Sequence, residues 1–221
     1  MTDKKIPFVG LHAHSVAGSI FDAMGFPAEH MDFCHENGGE ALALTDHGNM
    51  NGFSHQLLHW KKMKAEGKNF KPIFGVEAYF LPSIEEWRED YERIKTDTKL
   101  AKSLAKQGDT SGATVEDEEA SKKAIKSVIN RRRHLVLLVQ NQTGLTNLFK
   151  LISESYKEEN FYRYPRVDYK MLDKHSEGIV AASACLGGPY AGNYWANREE
   201  GPEAVREAMR ETTRRFVEIF G

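Results

Sequence analysis

Two histidines one residue apart, His12 and His14, follow a short apolar run near the start of the chain. Alternate side chains of a β-strand point to the same face, so both imidazoles would project together from the end of that strand. Two imidazoles on one face suit a metal ion better than they suit packing, although so short a motif also arises by chance. The motif alone leaves open both a metal site and an ordinary half-exposed strand end.

The elements that would position these histidines alternate between strands and helices. Strands are predicted at 8–14, 41–45 and 71–79, with helices between them at 27–37 and 52–66. Polar residues stand at the strand ends: His12 and His14 at the first, Asp46 and His47 at the second, and Glu77 at the third. Such alternation predicts right-handed crossovers in a parallel sheet or barrel, where sites lie at the carboxyl ends of the strands. These five residues are therefore expected in one site.

Residues 83–133 interrupt the alternation. They are far richer in charged residues than the whole chain, which is 28% charged. We interpret them as an inserted, mobile excursion with some helix on either side of a polar centre at 107–112, and not as a domain boundary. Arg131, Arg132 and Arg133 end the insertion. They could meet a phosphate backbone, but a solvated run of charge is the more common meaning of such a cluster.

Two further strands, at 134–140 and 178–183, add His134 and Cys185 to the candidate ligands. Helices are predicted around the apolar stripe at 145–156 and from residue 201 onward. The combined nitrogen, sulfur and oxygen donors suit Zn²⁺, Mn²⁺ or Fe²⁺ better than Mg²⁺ or Ca²⁺. The candidate ligands outnumber the four that a structural zinc needs. This excess favours several ions and phosphoester displacement over a single structural ion.

Three of the candidate site residues also have a simpler explanation than metal binding or catalysis. Asp22 lies in a loop and could be a turn or cap residue. Asp46 could orient a ligand without binding metal itself. Cys185 could be a core residue, because free cysteine is commonly buried.

Composition sets the wider limits. The 221 residues are 40% apolar, enough for one core, and the net charge of −2 gives no global basic field for nucleic acid. The two cysteines do not suggest a disulfide framework. We found neither the apolar core of a signal peptide nor an apolar run of about 18 residues. A soluble, cytoplasmic protein is expected, with one domain over residues 1–221.

Five motifs together resemble the polymerase and histidinol phosphatase (PHP) domain. They are LHAHS at 11–15, LTDHGN at 44–49, FGVEAY at 74–79, the segment 134–156 with TGLTNL, and SACLGG at 183–188. The version that they resemble most is the one at the N-terminus of bacterial replicative DNA polymerase III alpha subunits. The resemblance implies an α/β fold, a distorted (β/α)7 barrel that is incomplete at its C-terminus.

The resemblance also implies a centre of up to three ions. It implies metal-binding roles for His12, His14, Asp22, His47, Glu77, His134 and Cys185, with His12, His14, Asp46, His47 and Glu77 as the catalytic set. In some members of the family such a centre is a 3′–5′ exonuclease, and in others the domain is a structural platform. The expected partners are single-stranded DNA or a primer 3′ end, together with the remaining polymerase domains or a companion chain, and no membrane.

The later barrel strands of the family, which carry an Asp-x-His pair, and its polymerase palm, fingers and thumb have no counterpart in residues 1–221. The isolated chain is therefore expected not to synthesise DNA and to show little exonuclease activity. Two alternatives stay open, a non-catalytic platform of the polymerase and a free-standing PHP phosphatase of small phosphate esters. The segments 75–79 and 134–156 fit the polymerase branch better than the phosphatase branch.

Overall fold

Helices and strands alternate through residues 8–106 and 115–221, the part of the chain that this computed structural model describes. The helices are α1 (Pro27–Glu36), α2 (Phe53–Ala65), α3 (Ile84–Lys106), α4 (Val115–Ile129), α5 (Gln142–Ser155), α6 (Tyr169–His175), α7 (Pro189–Asn197) and α8 (Pro202–Phe220). The strands are β1 (Ala41–Leu44), β2 (Lys71–Phe80), β3 (Arg133–Val139), β4 (Phe161–Tyr162), β5 (Tyr164–Val167) and β6 (Ile179–Ala182). The α/β class predicted from the sequence is confirmed.

Local signals explain where the helices begin. Pro27 occupies the first turn of α1, where its fixed φ suits the helix and its missing N–H costs nothing. The Asn141 side chain caps α5 by accepting a hydrogen bond from the amide of Gly144. Asp168 caps α6 in the same way, accepting from the amide of Met171. The helices predicted at 27–37 and 52–66 are confirmed to within a residue or so at each end.

The sheet is not all parallel, so that part of the sequence prediction is wrong. Strands β1 and β5 pair with β2 in the parallel sense, but β3 is antiparallel to both β2 and β6. Two helices, α3 and α4, lie between β2 and β3 and pack along each other. Helix α3 leads away from the end of β2, and α4 leads back to the same end of the sheet. Strand β3 therefore starts where β2 ends and runs in the opposite direction.

The segment 8–14, predicted to be a strand, is not a regular one. It lies beside β1, where Gly10 forms a single bridge with Leu42. The carbonyl of Gly10 accepts from the amide of Ala43, whereas the carbonyl of Ala13 accepts from the amide of Thr45. Three residues on one side thus match two on the other, and this bulge prevents a continuous ladder. Within the described ranges β6 pairs only with β3, so the sheet is not closed.

The insertion is joined to the main core at its base. Trp87 of α3 and Val128 of α4 are buried in the same apolar cluster as the centres of β2 and β3. The indole N–H of Trp87 donates to the carbonyl of Val128 at 2.8 Å. The predicted polar centre at 107–112 lies outside the described residues.

The region from 157 to 197 holds structure that the sequence did not predict. Strands β4 and β5 form a short hairpin after α5, and α6 follows it. Helix α7 was not anticipated either. Among the described helices, none combines the length and the apolar character needed to cross a bilayer.

Candidate metal centre

The carboxylate of Glu77 is buried at the middle of a ring of four imidazoles. Its Oε1 lies 3.1 Å from His12 Nε2 and 2.9 Å from His134 Nδ1. Its Oε2 lies 3.4 Å from His14 Nε2 and 2.8 Å from His47 Nδ1. Each carboxylate oxygen therefore faces two imidazoles, and Glu77 is common to two groups that could each hold an ion.

The sheet explains how residues so distant in sequence meet. His47 follows β1 and bridges Glu77, whose amide donates to the carbonyl of Asp46. His134 stands near the start of β3, opposite Tyr79 of β2. Because β3 runs antiparallel, its beginning lies at the same end of the sheet as the carboxyl ends of the other strands. His134, near the start of β3, therefore lies beside His47, which follows the end of β1.

A bound cation explains the arrangement of these donor atoms better than hydrogen bonds between the side chains do. His47 Nδ1 and Glu77 Oε2 are 2.8 Å apart, yet neither forms a hydrogen bond within the described part of the chain. Buried polar atoms without partners are costly, and a divalent ion would satisfy both atoms at once. Imidazole nitrogen with a shared carboxylate is a donor set that Zn²⁺, Mn²⁺ and Fe²⁺ accept.

The protonation of Glu77 and His14 favours metal binding, whereas at His47 a proton competes with the metal. Burial alone would raise the pKa of Glu77, but the imidazoles of His134 and His47 outweigh burial and hold that pKa well below its ordinary value. Burial and the neighbouring His47 lower the pKa of His14. The Glu77 carboxylate raises the pKa of His47. An ionised Glu77 and a neutral His14 are the forms that bind metal.

Two carboxylates support the ring from outside. Asp22, half exposed, accepts a hydrogen bond from His47 Nε2 at 2.6 Å. Asp46 is buried and accepts from the amide and hydroxyl of Ser15 and from the hydroxyl of Ser19. The Ser19 hydroxyl in turn accepts from the amide of His47. Asp46 thereby fixes the loop after His14 and the backbone of His47, and it belongs to neither of the two ligand groups found among the described residues.

Cys185 stands at the exposed edge of the cluster. Its Sγ lies 3.5 Å from His134 Nδ1 and 3.9 Å from Glu77 Oε1, and it accepts from the amide of Gly187. Ala184 precedes it with φ of 57°, a left-handed conformation that is uncommon for a residue with a side chain. The structure thus brings together His12, His14, His47, Glu77 and His134, with Asp22 and Cys185 on the flanks.

Comparison with known proteins identifies the family. The family model described as the PHP domain matches residues 10–221. The chain belongs to the PHP domain family. A protein of Aquifex aeolicus (strain VF5) named DNA polymerase III subunit alpha is 34% identical over 214 residues, which are 97% of this chain and 15% of that protein.

Other relatives carry the same name. The DNA polymerase III subunit alpha of Borreliella burgdorferi is 33% identical over 97% of this chain and 14% of that protein. The one from Campylobacter jejuni is 30% identical over 91% of this chain and 14% of that protein. This PHP domain therefore spans about one seventh of the length of the curated relatives that it matches.

The sequence analysis did not identify Tyr79, whose ring packs against the candidate metal centre of this PHP domain. The ring of Tyr79 stacks on the imidazole of His47, with centroids 5.9 Å apart and planes 7° apart, and lies 5.7 Å from the imidazole of His134. Tyr79 follows Glu77 by two residues on β2, so both side chains point to the same face. That spacing was the available signal.

Proposed function

We propose that this PHP domain holds up to three divalent transition ions, Zn²⁺, Mn²⁺ or Fe²⁺, and cleaves phosphodiester bonds at the 3′ end of a DNA strand. The observation that supports the proposal best is the sharing of buried Glu77 between two ligand groups. A carboxylate with two imidazoles at each oxygen is suited to bridging neighbouring cations. Several ions close together are the arrangement used for phosphoester displacement.

The roles of the residues follow from their contacts. We assign His12, His14, His47, Glu77 and His134 as inner ligands, with Asp22 and Cys185 completing the set from the flanks. Ions in this ring would activate a water and stabilise charge on the phosphate oxygens. His47 donates from Nε2 to Asp22, which leaves Nδ1 free as a ligand and fixes the tautomer.

Asp46 acts through other residues in this proposal. Its hydrogen bonds to Ser15 and Ser19 hold the two segments that carry the histidines. Loss of such a supporting group lowers metal affinity by about 10–100-fold in known sites. The sequence placed Asp46 in the catalytic set, and we keep it there as a positioning residue.

The wider setting is part of the same proposal. The named relatives are replicative polymerase subunits, so we place this domain at the N-terminus of such a polymerase in the cytoplasm, with DNA and the other polymerase domains as partners. We also propose that the described strands form part of a distorted seven-stranded β/α barrel, in which the segment 8–14 takes the place of a strand.

Metal content is the first test. Chain purified without chelator and incubated with each ion should retain Zn, Mn or Fe by elemental analysis. His14→Ala should lower this content, whereas His55→Ala, which changes an exposed histidine outside the ring, should not. A chain that remains metal-free with every ion would contradict the proposal.

Substrate choice is the second test. The metal-loaded chain is given 3′-labelled single-stranded DNA and, separately, a small phosphomonoester. Release of nucleotides from the 3′ end, lost in His14→Ala, would support an exonuclease. Hydrolysis of the ester alone would point to a phosphatase, and bound metal without either activity would point to a structural platform.

A further inference from the structure

The side chain of Arg132 lies against two tyrosine rings, in the corner formed by the T-shaped pair of Tyr79 and Tyr164 at the rim of the candidate metal centre. Its guanidinium carbon lies 3.8 Å from the ring centroid of Tyr164 and 4.9 Å from that of Tyr79. The Tyr79 ring also contacts the Tyr164 ring and the imidazoles of His47 and His134. One aromatic ring therefore separates a fixed cation from two of the proposed ligands.

The strand register explains this placement. Tyr79 of β2 lies opposite His134 of β3 in the antiparallel ladder. Arg132 lies two residues before His134, immediately before β3 begins, and its guanidinium reaches the Tyr79 ring. Glu77 and Tyr79, two residues apart on β2, share one face. The face of the sheet that carries the ligand pair Glu77 and His134 thus continues directly to Tyr79 and Arg132.

The charge of Arg132 meets no carboxylate among the side chains described at 8–99 and 119–221, where none lies within ion-pair distance of it. Its Nη1 donates to the carbonyl of Asn130. Its neighbour Arg131 differs, because Nη1 of that residue pairs with Asp90 at 2.7 Å. Cation–π attraction holds the guanidinium, its Nε is buried without a partner in the described part of the chain, and the Nη groups are the donors left for a ligand.

We infer that Arg132 binds a backbone phosphate of a single-stranded DNA substrate, next to the bond that the metal centre cuts; this inference rests on the proposed function. A planar guanidinium presents two parallel donors to a phosphate, and the Tyr164 ring packed against it restricts the direction of that fork. The fork lies beside the site where a phosphate must bind for cleavage.

A strand fits the surroundings better than a small ester does. The hairpin that supplies Tyr164 also exposes Phe161 and Tyr162, which are 39% and 37% accessible. Exposed aromatic side chains beside a cationic group can stack bases of a single strand. A small ester would use the phosphate contact but none of this adjoining surface.

The test measures binding without turnover. Fluorescence anisotropy follows a short 5′-labelled oligothymidylate with a phosphorothioate at its 3′ linkage, added to metal-loaded chain over a range of salt concentrations. Arg132→Gln should weaken the affinity by about tenfold or more, the effect of losing a charge-assisted hydrogen bond. It should also reduce the salt slope by about 0.7, which is one single-strand phosphate contact.

Two variants control for charge and folding. Arg131→Gln removes the same charge one residue away, where Asp90 already neutralises it, and should change the affinity by less than about twofold. Arg132→Lys keeps the charge but loses the fork, so its affinity should lie between those of the wild type and Arg132→Gln. Metal content and thermal midpoint are measured for every variant, so that an unfolded protein is recognised.

Three results would overturn the inference. The first is an Arg132→Gln chain with normal metal content and wild-type affinity for the oligonucleotide. The second is an equal loss in Arg131→Gln. The third is a wild-type chain that binds inorganic phosphate through Arg132 but does not bind the oligonucleotide. Because no turnover is needed, absent hydrolysis would contradict the proposed function and leave an Arg132-dependent affinity measurable.

Discussion

Arg166 should be among the most sensitive positions for the stability of this PHP domain. Its side chain is wholly buried and stacks on Trp87, with the guanidinium carbon 3.9 Å from the ring centroid. Nη1 donates to the carbonyls of Tyr162 and Tyr164 at 2.9 and 3.1 Å, and Nη2 donates to that of Ile129 at 2.5 Å. One side chain thus joins α3, the end of α4 and the β4–β5 hairpin.

The change Arg166→Met keeps most of the volume and removes the donors. The carbonyl of Ile129 then remains buried without a partner, at a cost of about 1–3 kcal/mol. The two half-buried carbonyls can reach water, so each should cost less, and the lost stacking on Trp87 contributes about 1–2 kcal/mol. Relief from burying a charge offsets part of the sum. We expect a net loss of about 3 kcal/mol in the free energy of unfolding.

Thermal unfolding at equal metal content measures this loss. For a chain of this length each kcal/mol lowers the midpoint by about 2–4 °C, so Arg166→Met should melt about 6–12 °C below the wild type. Arg88→Met, an exposed arginine beside Trp87 on α3, should change the free energy by no more than about 0.5 kcal/mol. If both variants melt within about 2 °C of the wild type, the buried arginine does not anchor the insertion.

Three further predictions concern other sites. Glu77→Gln should lower the number of metal ions bound per chain by at least one, and unchanged stoichiometry in elemental analysis would contradict its bridging role. Gly144→Ala should destabilise by about 3 kcal/mol in urea, because a Cβ there would lie 1.8 Å from the carbonyl oxygen of Gly178. Lys174 and His175 lower the pKa of Glu154 below its ordinary 4.5. Glu154→Gln should therefore cost stability above pH 4.5, and the difference from wild type should vanish as pH falls through the lowered pKa.

Much of the candidate metal centre, the grouping of these side chains at one end of the sheet, could be predicted because its signals are local. The apolar runs before His12 and His47 mark segments that end at one edge of the sheet, and this placement does not depend on the details of pairing. The start of helix α1 was equally clear, since Pro27 suits the first turn of a helix. His134 was predicted as a ligand although its strand runs opposite to the expected direction.

The remainder depends on long-range packing that local patterns do not contain. The direction of β3 follows from how α3 and α4 pack on each other, and a charged sequence alone does not show that two long helices return to the sheet. Arg132 was interpreted as part of a solvated run. Its role needed the rings of Tyr79 and Tyr164, which only the sheet brings to it.

The bulged segment 8–14 has a consequence for how metal binding can be observed. The amides of Ala43 and Thr45 are protected by the carbonyls of Gly10 and Ala13, and the same segment carries His12 and His14. An ion held by those histidines must oppose every opening that detaches the segment from β1. At about 100 times the dissociation constant that linkage amounts to about 2.7 kcal/mol, or about a hundredfold slower hydrogen exchange at these two amides. If the proposed site binds metal, hydrogen exchange at these amides would report its occupancy, even in a chain without catalytic activity.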